Sequence, residues 1–248
     1  SDLLTALTTK DGSLPQGAIT SSFLANLVLW RDEPLLHAKL EQNGITYSRY
    51  VDDICMSAHT NLDKETQSRM IAFDLISQVN RNGAYANIRL PELLNKSKLE
   101  AKDKNLTTEL SYGTLRMQGL YDYIFSQISD RRWSEVDADI VDLARMGAHQ
   151  IFTMRTPMHA AVSATVDVAR KQLGESKGSF INALMRKASA KELHEWLEPL
   201  AVISDPVERL AIQYSHPEWI VSAYFDLLKD IALVEAELIS NNTPAKPT

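Results

Sequence analysis

Few residues in this chain have types and spacing that could do chemistry. Asp52 and Asp53 stand side by side in YVDDICMS, within Thr46 to Ser57, a stretch that alternates like a strand around the acidic pair. Adjacent carboxylates at the tip of a strand–turn–strand are what two-metal phosphoryl transfer uses to hold Mg²⁺. A bare acidic pair is more often a solvated turn between strands. Cys55 follows the pair and is the single cysteine, so no internal disulfide forms and a reducing compartment fits. Its neighbours make it a small buried hydrophobe rather than a nucleophile. His149, His159, His194 and His216 fall on separate predicted helices with no cysteine partner and no tight metal spacing, which makes them packing or capping residues.

The other available chemistry is phosphate recognition. Arg69, Lys96, Lys98, Lys102, Lys104, Arg116, Arg186 and Lys187 are the candidates for RNA contact. A few Lys and Arg gathered on one face supply most of the affinity of such modules. Any solvated helix exposes the same residue types, so each alone is more often plain surface. Folded RNA is also read by shape, which leaves no sequence motif to find.

The elements that must position these groups are mostly helices. Ile140, Leu143, Ala144, Gly147, Ala148 and Ile151 fall at the spacing of a helix buried along one side. Thr156 as N-cap and Pro157 at N1 start a second helix with the small residues Ala161, Val162, Thr165, Val166 and Ala169 inward. A third follows Gly174, with Phe180, Ile181, Leu184 and Ala188 on one side and Lys177, Arg186, Lys187 and Lys191 on the other. Upstream, Ile71, Ala72, Leu75, Ile76 and Val79 form a stripe stopped by Asn82-Gly83. Leu106 to Ile124 makes a long helix in which Gly113 marks a helix crossing. Ser134 with Asp137, and Ser215 with Glu218, have the spacing of reciprocal N-terminal caps, and SHPEWIVSAYFDLLKDIALVEAEL reads as helix.

Hydrophobic residues make up 44% and charged residues 23% of 248, ordinary for a globular chain with one or two domains. No apolar run is long enough for a membrane span and no signal pattern opens the sequence, so a cytoplasmic location without membrane contact is expected. The formal net charge is −6, and residues 1–67 carry 5 basic against 9 acidic residues while the remainder carries 21 against 23. That shift invites a domain boundary.

The run LARMGAHQIFTMRTPMHAAVSATVDVARK with GSFINALMRK, flanked by AFDLISQVNRNGAYANIRLPELL, TELSYGTLR and YSHPEWIV, resembles the NusB-like RNA-binding domain of bacterial small-subunit ribosomal RNA cytosine-5 methyltransferases. The likeness covers about Ser68 to the C-terminus. It implies an all-helical domain over 68–240, with 241–248 as the frayed start of a catalytic domain that is missing here. Methyl transfer in that family needs a cysteine thiolate and an S-adenosylmethionine crevice. Neither is visible, so the S-adenosylmethionine would belong to the missing domain. Residues 1–67 read differently. SLPQGAITSSFLANL followed by YSRYVDDICMS resembles two consecutive motifs of the reverse transcriptase palm. By that resemblance Asp52 and Asp53 are the catalytic Mg²⁺ ligands of an incomplete site, and Gln16 and Gly17 line its substrate and template side.

The expected fold class is therefore mainly α: a NusB-like helical domain preceded by a small α+β palm fragment. The two resemblances meet between Asn61 and Arg69, in a polar stretch that suits a helical joint or a linker. The leading expectation is an RNA-binding module whose partner is structured, small-subunit ribosomal RNA, with the chain inactive by itself. The alternatives are a fragment of an RNA-directed DNA polymerase and an accidental joining of two gene fragments.

Overall fold

Residues 38, 45–50, 53–154 and 156–243 are described in a computed structural model. The chain divides into two compact units, residues 1–64 and 65–248. In the first, strand β1 (Ile45–Tyr50) pairs antiparallel with β2 (Asp53–Ala58) in a register running from Ile45 opposite Ala58 to Tyr50 opposite Asp53. Ile45, Thr46, Tyr47 and Tyr50 of β1 and Ile54 of β2 are residue types that favour strands. Asp53 opens β2 and Cys55 lies within it. Asp52, Gln16, Gly17 and the expected helix Phe23 to Trp30 lie outside the described residues.

Ten helices follow among the described residues, making the chain mainly α. Helix α1 (His59–Asn82) takes in the polar stretch that suited a joint. Its inward row is Ala72, Phe73, Leu75 and Ile76. It ends at Gly83, whose φ of 65° lies in the left-handed region that a residue without Cβ adopts at least cost. The N–H groups of Gly83 and Ala84 satisfy the carbonyls of Val79 and Gln78 there. Helix α2 (Ala86–Lys96) leads by a short turn into α3 (Ala101–Ile128), the longest element, about 42 Å at 1.5 Å per residue. A 3-10 turn at Trp133–Glu135 precedes α4 (Ala138–Phe152). Helices α5 (Met158–Leu173) and α6 (Glu175–Ala188) are joined by Gly174 alone, at φ 90°. The short α7 (Leu193–Leu197) and a second 3-10 turn lead to α8 (Pro206–Gln213), α9 (Glu218–Leu228) and α10 (Ile231–Asn242).

Helix α4 is the centre of the larger core, packing on α3, α5 and α6. Its row of small residues lets those helices come close. A Cβ at Gly147 would run into Met185 and Thr165, and one at Gly113 of α3 would run into the His149 ring. Gly113 therefore does mark a crossing, and the group pressed against it is an imidazole. A smaller cluster, Leu210, Ala211, Val221, Val234 and Leu238, holds α8, α9 and α10 together. Three expected caps form otherwise. Asp137 caps α4 by accepting from the Asp139 N–H, while Ser134 sits in the 3-10 turn. Ser215 accepts from the Gly119 N–H at 2.9 Å instead of capping α9. Pro157, not Thr156, holds the N-cap position of α5.

Asp142, His149 and Gln150 of α4 are as buried as its apolar side chains, Arg145 is nearly so, and each is paired. Asp142, 2% exposed, accepts from Asn80 Nδ2 at 2.7 Å, Ser77 Oγ at 3.2 Å and Arg145 Nη1 at 3.2 Å. Arg145 also grips Asp122 of α3 through Nε (2.8 Å) and Nη2 (2.6 Å). Burial alone would lower the Arg145 pKa, and its two carboxylate partners more than reverse that. His149 lies 2.9 Å from the Tyr121 hydroxyl through Nδ1 and 3.3 Å from Glu109 through Nε2. Burial pushes the His149 pKa down, against the opposing pull of Glu109, and pushes the Tyr121 phenol up.

This fixes a pH dependence. The unfolded chain protonates His149 near pH 6.5, while the folded chain holds the ring neutral to lower pH, so the unfolded state binds more protons in between. The contribution to stability is complete above about pH 6.5 and is lost as pH falls below it toward the depressed folded value. Urea midpoints at pH 7 and pH 5 should fall further for the native chain than for His149→Gln. Equal drops in both would contradict the assignment.

Candidate functional site

Four of the eight cations singled out in the sequence come together. Lys96 is the last residue of α2, Lys98 lies in the turn, and Lys102 and Lys104 occupy the first turn of α3. Lys96, Lys98 and Lys102 are exposed and Lys104 is half-buried. The turn is built so that its backbone is satisfied locally. The Ser97 N–H donates to the Leu93 carbonyl, the Ser97 hydroxyl donates to the Leu94 carbonyl at 2.8 Å, and Leu99 is buried as the anchor. The ion pairs on α1 to α4 take Arg69, Arg81, Arg89 and Arg145. None of the four lysines enters an ion pair among the described residues, and they lie within one short stretch around the turn, with Glu100 and Asp103 between them in sequence.

The remaining candidates do not join this corner. Arg69 is 6% exposed. Its Nε donates to Gln150 Oε1 at 2.8 Å, and its Nη1 donates to the Glu65 carbonyl at 3.2 Å and lies 3.4 Å from the Glu65 carboxylate. Gln150 passes the tie on to Thr165 of α5 at 3.1 Å. Burial pulls the Arg69 pKa down and Glu65 opposes it. Arg69 is a structural cation, unable to meet a phosphate without opening the core. Arg116 is exposed on α3, twelve residues and about 18 Å along the axis from Lys104, with Nη1 at 3.4 Å from the Asn242 carbonyl at the end of α10.

Arg186 and Lys187 are neighbours in sequence on the last turn of α6 yet face different grooves. Arg186 lines one of about 600 Å³ between α5 and α6, with His159 and Arg170. Lys187 lines one of about 700 Å³ with Lys177 and Phe180, where its Nζ lies 3.4 Å from the Ile128 carbonyl and 3.8 Å from Asp130. Ile128 ends α3, so this place is about 36 Å along the helix from Lys104. The surface thus offers a lysine corner at one end of α3 and a mixed basic region at the other.

Arg170 and His159 were not picked out from the sequence as contacts. The signal available for Arg170 was Gly178 across the α5–α6 crossing, where any Cβ would meet the Arg170 side chain. Among the described residues no group of three or more His, Cys, Asp or Glu could hold a metal ion, and no helix is long and apolar enough to cross a membrane. Asp52 lies outside the described residues and the Asp53 side chain is not described, so no metal geometry is assigned to that pair.

Comparison with known proteins adds the following. The family model described as NusB family matches residues 66–190. A methyltransferase-named protein of Mycobacterium tuberculosis is 33% identical over 178 residues, 71% of this chain and 39% of that one. The ribosomal RNA small subunit methyltransferase B of Pseudomonas putida is 33% identical over 155 residues, 62% of this chain and 34% of that one. The chain thus spans about two-fifths or less of the length of these two relatives. The Retron Se72 reverse transcriptase of Salmonella heidelberg is 38% identical over 68 residues, 27% of this chain and 18% of that one. The solved structure of T. maritima NusB is 16% identical with a TM-score of 0.48, covering 54% of this chain and 96% of that chain.

The two kinds of cation separate in a stability measurement. Arg69→Met leaves Gln150 and Glu65 without their donor and should cost about 1–3 kcal/mol, whereas Lys98→Ala should stay within about 0.5 kcal/mol. Thermal unfolding of both variants beside the native chain checks this, and a native-like Arg69→Met would remove the structural role.

Proposed function

The chain belongs to the NusB family across residues 66–190, and we propose that its helical unit is an RNA-binding module that holds small-subunit ribosomal RNA for a cytosine-5 methyltransferase. The observation that carries this is the lysine corner: Lys96, Lys98, Lys102 and Lys104 gathered on one turn, with no carboxylate taking them up among the described residues. Unpaired cations that release counterions from a phosphate backbone supply binding that falls steeply with salt. The relatives named as ribosomal RNA methyltransferases support the choice of RNA. The second cation region near Arg186 and Lys187, at the other end of α3, suits a folded RNA recognised by shape over some length. Methyl transfer itself, with its S-adenosylmethionine, is assigned in this proposal to a catalytic domain other than these residues.

The first unit carries a second proposal, descent from a reverse transcriptase palm. The 68-residue similarity to the retron enzyme and the β1–β2 hairpin beside Asp53 support it. Gln16, Gly17, Asp52 and Asp53 would be its remnant site, with Mg²⁺ as its metal. A joining of two gene fragments fits the same pair of likenesses.

A gel shift with a small-subunit ribosomal RNA hairpin tests the first proposal. The chain should shift the hairpin at low salt. Replacing Lys96, Lys98, Lys102 and Lys104 together by Ala should weaken binding at least about tenfold and make the salt slope shallower by about 3, at about 0.7–0.9 per lost phosphate contact. No shift at low salt, or an unchanged slope in the variant, would overturn the proposal.

A further inference from the structure

A cavity of about 620 Å³ opens between the middle of α3 and the α8–α9 turn, away from the lysine corner. Its lining includes Leu115, Gln118 and Gly119 from α3 and Ser215, His216 and Trp219 from the turn and α9. Trp219 is 72% exposed, in contrast to Trp133 and Trp196, which are buried in the main core. The turn is held in place from both sides. Ser215 adopts φ 55°, and its hydroxyl accepts the Gly119 N–H at 2.9 Å. His216 Nδ1 donates to the Tyr214 carbonyl at 2.7 Å, which selects the tautomer in which Nε2 is the acceptor. Gln118 Oε1 is buried without any hydrogen-bond partner. Glu218 completes the lining with a carboxylate.

This combination selects its ligand. A large aromatic face standing in solvent stacks on flat, unpaired rings. Gln118 Oε1, His216 Nε2 and Glu218 are acceptors, and together they call for a ligand rich in N–H donors. Glu218 repels a phosphate, so a base rather than the backbone enters. A rotation of the Gln118 carboxamide toward the cavity exchanges its unpaired position for such a donor. We infer that this cavity is a nucleobase site that takes one unpaired base carrying an exocyclic amine, adenine, cytosine or guanine rather than uracil, stacked on Trp219. The inference rests on the RNA-binding proposal and adds to it a single-stranded contact, distinct from the lysine corner.

The test uses the full chain with pentaribonucleotides of adenine, cytosine and uracil, followed by tryptophan fluorescence, alongside the hairpin gel shift. The adenine or cytosine oligomer should quench emission and bind about tenfold tighter than the uracil oligomer. Trp219→Ala should lose about tenfold for the preferred oligomer, Trp219→Phe should keep part of it, and Gln118→Leu should bring the preferred oligomer toward the uracil value. Circular dichroism confirms that each variant is folded. Equal binding of the three oligomers, or native affinity in folded Trp219→Ala, overturns the inference. If the hairpin shifts while no pentamer binds, the base site is wrong and the RNA-binding module stands. If neither binds, both are wrong.

Discussion

The helical unit depends on one constraint: α4 is sunk in the core with its polar side chains still on it. Asp142, Arg145, His149 and Gln150 each need a partner, because a buried polar group left alone costs about 1–3 kcal/mol and a charge more. The partners come from different helices. Asp142 reaches Ser77 and Asn80 of α1, Arg145 reaches Asp122 of α3, His149 reaches Tyr121 and Glu109 of α3, and Gln150 reaches Arg69 of α1 and Thr165 of α5. Apolar packing alone would tolerate several rotations of these helices. The paired groups accept one, and the glycines at 113 and 147 supply the close approach that makes the distances reachable.

The same constraint sorts the basic residues. Arginines near the core carboxylates are consumed in holding helices together. Arg145 sits between Asp122 and Asp142, Arg81 pairs with Asp139 and Asp142, and Arg69 is closed in by Glu65 and Gln150. What remains for a phosphate backbone are lysines that enter no ion pair among the described residues, as on the α2–α3 turn, where Glu100 and Asp103 lie between them in sequence. A net charge of −6 does not oppose this, because affinity for a phosphate backbone follows the local arrangement of cations.

Much of this was legible in the sequence. The 3.6-residue periodicity placed α1, α3, α4, α5 and α6, and the Gly83 and Gly174 stops sit where φ turns positive. The likeness to a NusB-like domain came from runs such as LARMGAHQIF, whose small residues are those that α4 needs. Sequence could not tell a structural Arg69 from a surface one, since that difference is made by Gln150, 81 residues away. The Ser215-x-x-Glu218 pattern has the spacing of a cap, yet the Gly119 N–H across the fold takes the serine hydroxyl. Periodicity counts the Trp219 indole as apolar, and only the tertiary structure leaves it in solvent.

The central claim is that RNA lands on a surface of free lysines laid over a core that does not rearrange. Amide hydrogen exchange read by mass spectrometry, with and without a small-subunit ribosomal RNA hairpin at low salt, tests it most directly. The account predicts slower exchange across residues 96–104 and unchanged exchange across residues 140–150 of α4. Protection of α4 without protection of the α2–α3 turn, or no change anywhere under conditions where the hairpin is bound, would contradict it.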